Sequence, residues 1–309
     1  MSSETPPTST SSGFASTSPV LLAVLCYTAW GFAPLAYVPI HAFGGGSVEI
    51  IGHRSVWALI WAAGLVFFTK QFPEVWAVFK SPRLMALLLV SCLMVAINWG
   101  VFVWAVTNGH TIESSLGYYL NPLINMAAGA MFFRERLDGY GKTAIGCAVV
   151  GVLIQAFAIG HVPYIALTLA VSFAAYGMIR KQIPVNALPG LFVECLYLFP
   201  MALVYLIWFE HSGQGHFLQS PWHAFWFMLT GPITVLPLAL FSFVARRLPL
   251  STMGFIQFIS PTIAFFIGLF QGELFTPMRA LSFAFIWGGA AVFAFGAWRR
   301  VQALKTVTG

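Results

Sequence analysis

Charge is what this chain has least of: only 8% of its 309 residues are Asp, Glu, Lys or Arg, against 59% that are hydrophobic. A soluble domain carries roughly 25% charged residues, so a water-soluble globule is excluded and the lipid bilayer is the solvent. The chain also lacks alternating polar and apolar residues over strands of about 10 positions, which excludes a transmembrane barrel. Only helices and closed barrels satisfy their backbone inside lipid, leaving an all-α integral membrane protein. Cysteine is scarce too: Cys26, Cys92, Cys147 and Cys195 fall inside apolar runs and form no CxxC or Cys/His spacing, so they read as free thiols. Gly44-Gly45-Gly46 has no Lys-Ser/Thr after it and is a turn, not a phosphate loop. No nucleophile–base constellation favours a membrane enzyme. Loops of at most about a dozen residues leave no room for a sensor domain. Residues 1–19 contain no Lys or Arg and are rich in Ser, Thr and Pro, which predicts a disordered tail rather than a signal peptide.

What the chain does have is apolar runs. Ten windows approach the ~20 residues of a spanning helix: residues 20–40, 49–69, 84–106, 112–133, 141–160, 163–180, 189–208, 222–244, 250–270 and 278–298. Thirteen of the fifteen Lys and Arg fall in the loops after the even-numbered windows or in the C-terminal stretch. The exceptions are Arg54, inside the second window, and Arg279. Cationic loops stay cytoplasmic, so both termini are expected inside. The positive charge has anionic lipid heads as partners and forms no single patch for nucleic acid.

The chain also repeats itself. With Pro122 set over Pro261, residues 111–137 and 250–275 follow one pattern: a polar residue (Asn121, Ser260), the proline, an apolar run, and an acid (Glu135, Glu273) after a one-residue gap. Phe102 falls over Phe241. Ten spans make two units of five, 20–160 and 161–299, with a cytoplasmic tail at 300–309. Because five is odd, the second unit lies inverted, and the loop charges agree. Inverted repeats around a midplane site are a mark of secondary transporters.

Three stretches carry a family resemblance. They are Glu49-Ile50-Ile51-Gly52-His53-Arg54 with Trp57; Asn98-Trp99 to Val106, Asn108-Gly109-His110 and Glu113 to Leu123; and Ser172-Phe173, Tyr176-Gly177, Arg180-Lys181. Together they resemble the RarD permeases of the EamA branch of the drug/metabolite transporter superfamily, over about residues 20 to 300. The resemblance implies a ten-helix inner-membrane permease moving a small organic molecule. Members are often labelled as chloramphenicol-sensitivity proteins, and the wider superfamily includes exporters of amino acids and other metabolites.

Ionisable groups inside a bilayer cost about 2.5–3.5 kcal/mol each on insertion scales and usually pair or work. Arg54 needs a partner on another helix, and Glu113 and His110 are the candidates: a substrate-binding or proton-linked cluster, or a structural pair. His53 lies one turn from Glu49. Glu194 is either a proton site or the partner of Arg180 or Lys181. Asn98, Tyr118, Asn121, Gln257 and Ser260 either line a cavity or bond helix to helix, with cavity lining favoured, and Pro122 and Pro261 are helix breaks that free backbone carbonyls. Trp30, Trp99, Trp104 and Tyr176 either stack on a planar substrate or pack. His211, His216 and His223 read as a solvated loop, not a metal site. Glu135 and Glu273 are expected to cap helices or pair with Arg. No ATP motif and no cofactor motif is present, so an ion gradient, proton coupling included, or the substrate's own gradient supplies the energy.

Overall fold

In the computed structural model, residues 18–132, 138–245, 247–248 and 256–308 are described, and among them every regular element is helical. The order is α1 (Pro19–Phe32), α2 (Tyr37–Ala42), α3 (Ser47–Phe68), α4 (Phe72–Phe79), α5 (Pro82–Thr107), α6 (Thr111–Phe132), α7 (Gly139–Ile159), α8 (Tyr164–Gln182), α9 (Ala187–His211), α10 (Pro221–Ala245), α11 (Ile259–Phe270) and α12 (Pro277–Thr308). Seven helical segments are long and apolar enough to cross a membrane, and Tyr164–Arg180 and Ile259–Phe270 are shorter apolar helices. The outer surface carries large apolar side chains, such as Phe157 at 87% and Phe270 at 89% exposure. Such a surface is stable in lipid and not in water.

The first span is interrupted. Pro34 has no N–H to continue the ladder, and Ala33–Ala36 tightens into a 3₁₀ turn between α1 and α2. The loop after α3 contains α4, which leaves Phe72 and Trp76 exposed. Ser81 caps the next helix through the Leu84 N–H, with Pro82 at its first position. The expected tail at 300–309 continues α12 through Thr308, because no Gly or Pro intervenes after Gly296. The tail at 1–17, the loop carrying Arg134, Glu135 and Arg136, and Arg246 lie outside the described residues.

Helices meet where small residues let backbones approach. A Cβ at Gly151 of α7 would stand 2.6 Å from Ile286 of α12, and one at Gly289 of α12 would stand 2.9 Å from the Ala144 carbonyl of α7. Ser282 reinforces that seam by donating to the Gly151 carbonyl at 2.7 Å. Gly231 of α10 abuts Trp57 of α3 in the same way. The main pairings are α7 with α12, α3 with α9 and α10, α8 with α5 and α6, and α1 with α10 and α11, while α6 also packs on α11.

Candidate functional site

Arg54 sits on α3, 7% exposed, about two turns from the N-terminal end of that helix. Its Nη1 donates to the Tyr37 hydroxyl at 3.2 Å. Its guanidinium lies over the Trp99 ring, 4.3 Å from the centroid. Its Nε has no hydrogen-bond partner, and no acid forms an ion pair with it among the described residues. The expected pairing with Glu113 or His110 is therefore corrected: a tyrosine and a tryptophan hold this cation. Sequence spacing could not find Tyr37, which belongs to the separate short helix α2. Phe102 meets Tyr37 and Tyr118 edge to face, extending the aromatic wall.

Two cavities of about 260 Å³ each open at opposite ends of α3. The first is lined by Tyr37, Val38, His41, Val106, Thr107 and Gln271 among others. Ser47, at the start of α3, lies 2.6 Å from Thr107 hydroxyl to hydroxyl, which fixes that end. Tyr37 joins this cavity to Arg54. The second includes Thr69, Gln71, Asn186 and Leu188, with Thr69 terminating α3.

Asn98 and Tyr118 spend their polar groups inside the bundle. The Asn98 amide donates to the Leu169 carbonyl at 3.0 Å and to Ser172 at 3.1 Å, and its oxygen accepts from Tyr118 at 3.0 Å. The three bonds tie α5, α6 and α8 together. Asn121 is 5% exposed, and its side-chain oxygen has no partner. Next to it, α6 runs unbroken through Pro122, so the expected break is not seen there. In the ninth span the chain turns at Gln257 and Phe258, and α11 starts before Ser260 and Pro261. Pro261 occupies the first turn of α11, where a missing N–H costs least. Gln257 and Ser260 are half-buried beside it.

The carboxylates hold helices together. Glu194 of α9, 1% exposed, accepts from Ser91 at 2.7 Å and from Tyr176 at 3.3 Å, and Arg180 Nε lies 3.7 Å away. Gly190 makes room for that guanidinium, since a Cβ there would stand 1.9 Å from Arg180 Nη1. Glu113 of α6 is buried, and its Oε1 has no hydrogen-bond partner. Among the described residues it forms no ion pair with Arg54.

Glu273 accepts the Thr111 and Ile112 N–H groups at 2.5 and 2.9 Å, capping α6 from another helix pair. Among the described residues it forms no ion pair with Arg, and Glu135, its counterpart, lies outside them. Glu273→Ala strands two N–H groups at the positive end of α6 and is expected to cost about 1–2 kcal/mol. The melting temperature of the purified protein measures the loss, and Glu273→Gln, which keeps one acceptor, should lose less.

At the N-terminal end of α3, the His216 N–H donates to Glu49 at 2.8 Å and its Nδ1 lies 2.9 Å from the other Glu49 oxygen. His53 stacks on Phe217 at 4.7 Å. His216 thus leaves the solvated-loop reading and becomes a partner of α3.

Residues 17–157 match the EamA-like transporter family. An uncharacterized transporter of Vibrio cholerae is 40% identical over 277 residues, covering 89% of this chain and 91% of the relative. Protein RarD of Salmonella typhimurium is 40% identical over 280 residues, 90% of this chain and 95% of its own. The chloramphenicol-sensitive protein RarD of Pseudomonas aeruginosa is 33% identical over 248 residues, 78% of this chain and 82% of its own. A solved crystal structure, 16% identical, superposes with a TM-score of 0.60 over 91% of this chain and 98% of that one, so the two share a fold. This apolar helical chain belongs to the RarD family of EamA-type membrane transporters.

Proposed function

We propose that the protein is a secondary transporter that moves a small organic molecule, with an anionic group docked on Arg54, by alternating access between two inverted five-helix repeats. The observation that carries this reading is the symmetry of the helix pairings. Exchange the two units, so that α1 (with α2), α3, α5, α6 and α7 correspond to α8, α9, α10, α11 and α12. The pairing of α6 with α8 then becomes that of α11 with α1, and α5 with α8 becomes α10 with α1. The pairing of α5 with α9 becomes α10 with α3, and α3 with α5 becomes α9 with α10. The α3–α9, α6–α11 and α7–α12 pairs map onto themselves. A doubled unit of five spans arranged about an in-plane axis has this pattern. With α6, the seven long spans and the two shorter helices make ten apolar segments.

Two cavities at opposite ends of α3 supply a mouth for each face of the membrane. The buried guanidinium near one of them supplies a reason for an anion to enter, because Arg recognises carboxylates with paired charge-assisted bonds. Trp99 and Phe102 beside it favour a planar substrate. Both termini and the cationic loops are placed in the cytoplasm by the charge bias, and proton coupling would run through the buried carboxylates.

Labelling with a membrane-impermeant thiol reagent tests the arrangement. Thr107→Cys should react in intact cells and Gln71→Cys only in inverted vesicles, both made with half-buried Cys147 replaced by Ala so that the remaining native thiols, Cys26, Cys92 and Cys195, are all buried. Reaction of both from the same side would sink the reading. Chloramphenicol, which one relative's name mentions, and aromatic carboxylates are the first solutes to assay.

A further inference from the structure

We infer that Glu49, His53 and Glu210 form a binding site for a divalent transition-metal ion, with zinc the best fit, at the N-terminal end of α3. This goes beyond the transport reading and does not depend on it. One donor atom from each of the three side chains lies within 4.8 Å of the other two. Glu49 and His53 are 1% and 5% exposed, and Glu210 is half-buried at the end of α9. Two carboxylates this close in a low-dielectric setting repel, and neither forms an ion pair with Lys or Arg among the described residues. A cation between them removes that repulsion.

The independent sign of a ligand is His53. Its Nε2 is buried and has no hydrogen-bond partner. Its ring is held in place by Phe217 at 4.7 Å and Phe227 at 4.3 Å, so it cannot easily swing towards water. An imidazole and two carboxylates whose donor atoms lie this close together are a metal-ligand set. Glu49 and His53 are one helical turn apart on the same face of α3, the spacing at which two side chains of one helix converge.

The surroundings orient the donors. His216 bonds both oxygens of Glu49 through its backbone N–H and its Nδ1, at 2.8 and 2.9 Å. The Phe217 N–H fixes one oxygen of Glu210 at 2.9 Å. Ligands are commonly held this way by a further ring of hydrogen bonds. One nitrogen and two oxygen donors, with water completing a tetrahedron, suit Zn²⁺ and fit Mg²⁺ poorly, since Mg²⁺ takes octahedral oxygen donors. The donors would close to about 3.5 Å apart, a small side-chain movement for Glu210. Bound metal would staple α3 to the end of α9 at one mouth of the transporter, one residue from Arg54.

The test uses the untagged full-length protein in detergent, stripped of metal with a chelator. Zn²⁺ alone, at a hundredfold excess over its dissociation constant, should raise the melting temperature by about 5 °C. Co²⁺ should give the visible absorption of a tetrahedral ion. Both responses should disappear in His53→Gln and in Glu210→Gln, and persist in His211→Ala, which removes an exposed neighbour. The melting temperature of each variant without metal reports whether it folds, and the Co²⁺ spectrum of Glu210→Gln decides the matter if His53→Gln does not. The inference is overturned by the absence of a Zn²⁺ shift, by an equal shift with Mg²⁺, by wild-type responses in both ligand variants, or by loss of the response in His211→Ala.

Discussion

Arg54→Ala is expected to weaken substrate binding roughly 30-fold or more, and transport with it, while the purified protein melts no lower than the wild type. This outcome follows from what the guanidinium touches. A structural arginine in a bilayer is matched by an acid or by backbone carbonyls, and breaking an ion pair costs several kcal/mol because one charge is left alone. Arg54 has no acid to strand. It has the Tyr37 hydroxyl at 3.2 Å and the face of Trp99 at 4.3 Å, both of which survive its removal. Removing the charge also removes an insertion cost of about 2.5–3.5 kcal/mol, which offsets the small cavity left behind. The substrate loses more. Truncating one side of a buried charge pair costs about 2–5 kcal/mol of binding, so affinity should fall roughly 30-fold or more. Arg54→Lys keeps the charge but not the planar fork and should recover only part of it. Binding of aromatic carboxylates, measured by thermal stabilisation of wild type and variants, checks the ligand side. A collapsed melting temperature in Arg54→Ala would make the residue structural and remove the anchor of the proposed site.

Glu194→Ala has the opposite expected signature: the fold suffers first. Ser91, Tyr176 and Arg180 all converge on this carboxylate. Truncation leaves a guanidinium, a hydroxyl and a phenol facing an empty space in the bundle. The expected destabilisation is about 3 kcal/mol, the low end for a broken buried pair. It is the low end because Arg180 keeps the Asn186 and Ala187 carbonyls and is 12% exposed. Equilibrium unfolding in mixed micelles measures it. The double variant Glu194→Gln with Arg180→Gln should recover part of the loss, since it strands no charge. A Glu194→Ala protein of unchanged stability that has lost its response to a pH gradient would make Glu194 a proton site instead.

The two residues show how differently sequence and structure speak. Both were conspicuous as ionisable groups in apolar runs, and membrane insertion costs alone singled them out. What each does depended on partners that no spacing reveals. Arg54 meets Tyr37 and Trp99 from two other helices, and Glu194 meets Ser91, 103 residues away. Asn98 likewise looked like a cavity residue and proved to be bonded to the Leu169 carbonyl and Ser172, because a buried amide takes the nearest backbone acceptor on a neighbouring helix. Of the proposed metal donors, Glu49 and His53 were visible as an i,i+4 pair, but Glu210 was hidden. The histidine run at 211–223 drew attention to itself, yet the donors that converge are Glu49, His53 and Glu210, brought together by the packing of α3 on α9.

Sequence by itself determined the solvent, the helical class, the approximate positions of the apolar helices and the family. These follow from hydrophobicity and backbone hydrogen bonding, which act locally and leave their mark residue by residue. Tertiary structure alone decided which helices pair, where the first span is interrupted, which acids cap helices, and why one buried cation has no acid beside it among the described residues. In a bilayer, chain-wide hydrophobicity cannot choose among helix partners, because lipid tails are as apolar as the helices. Close approach at Gly151, Gly231 and Gly289 and a few interhelical hydrogen bonds make that choice, and those contacts exist only once the chain has folded.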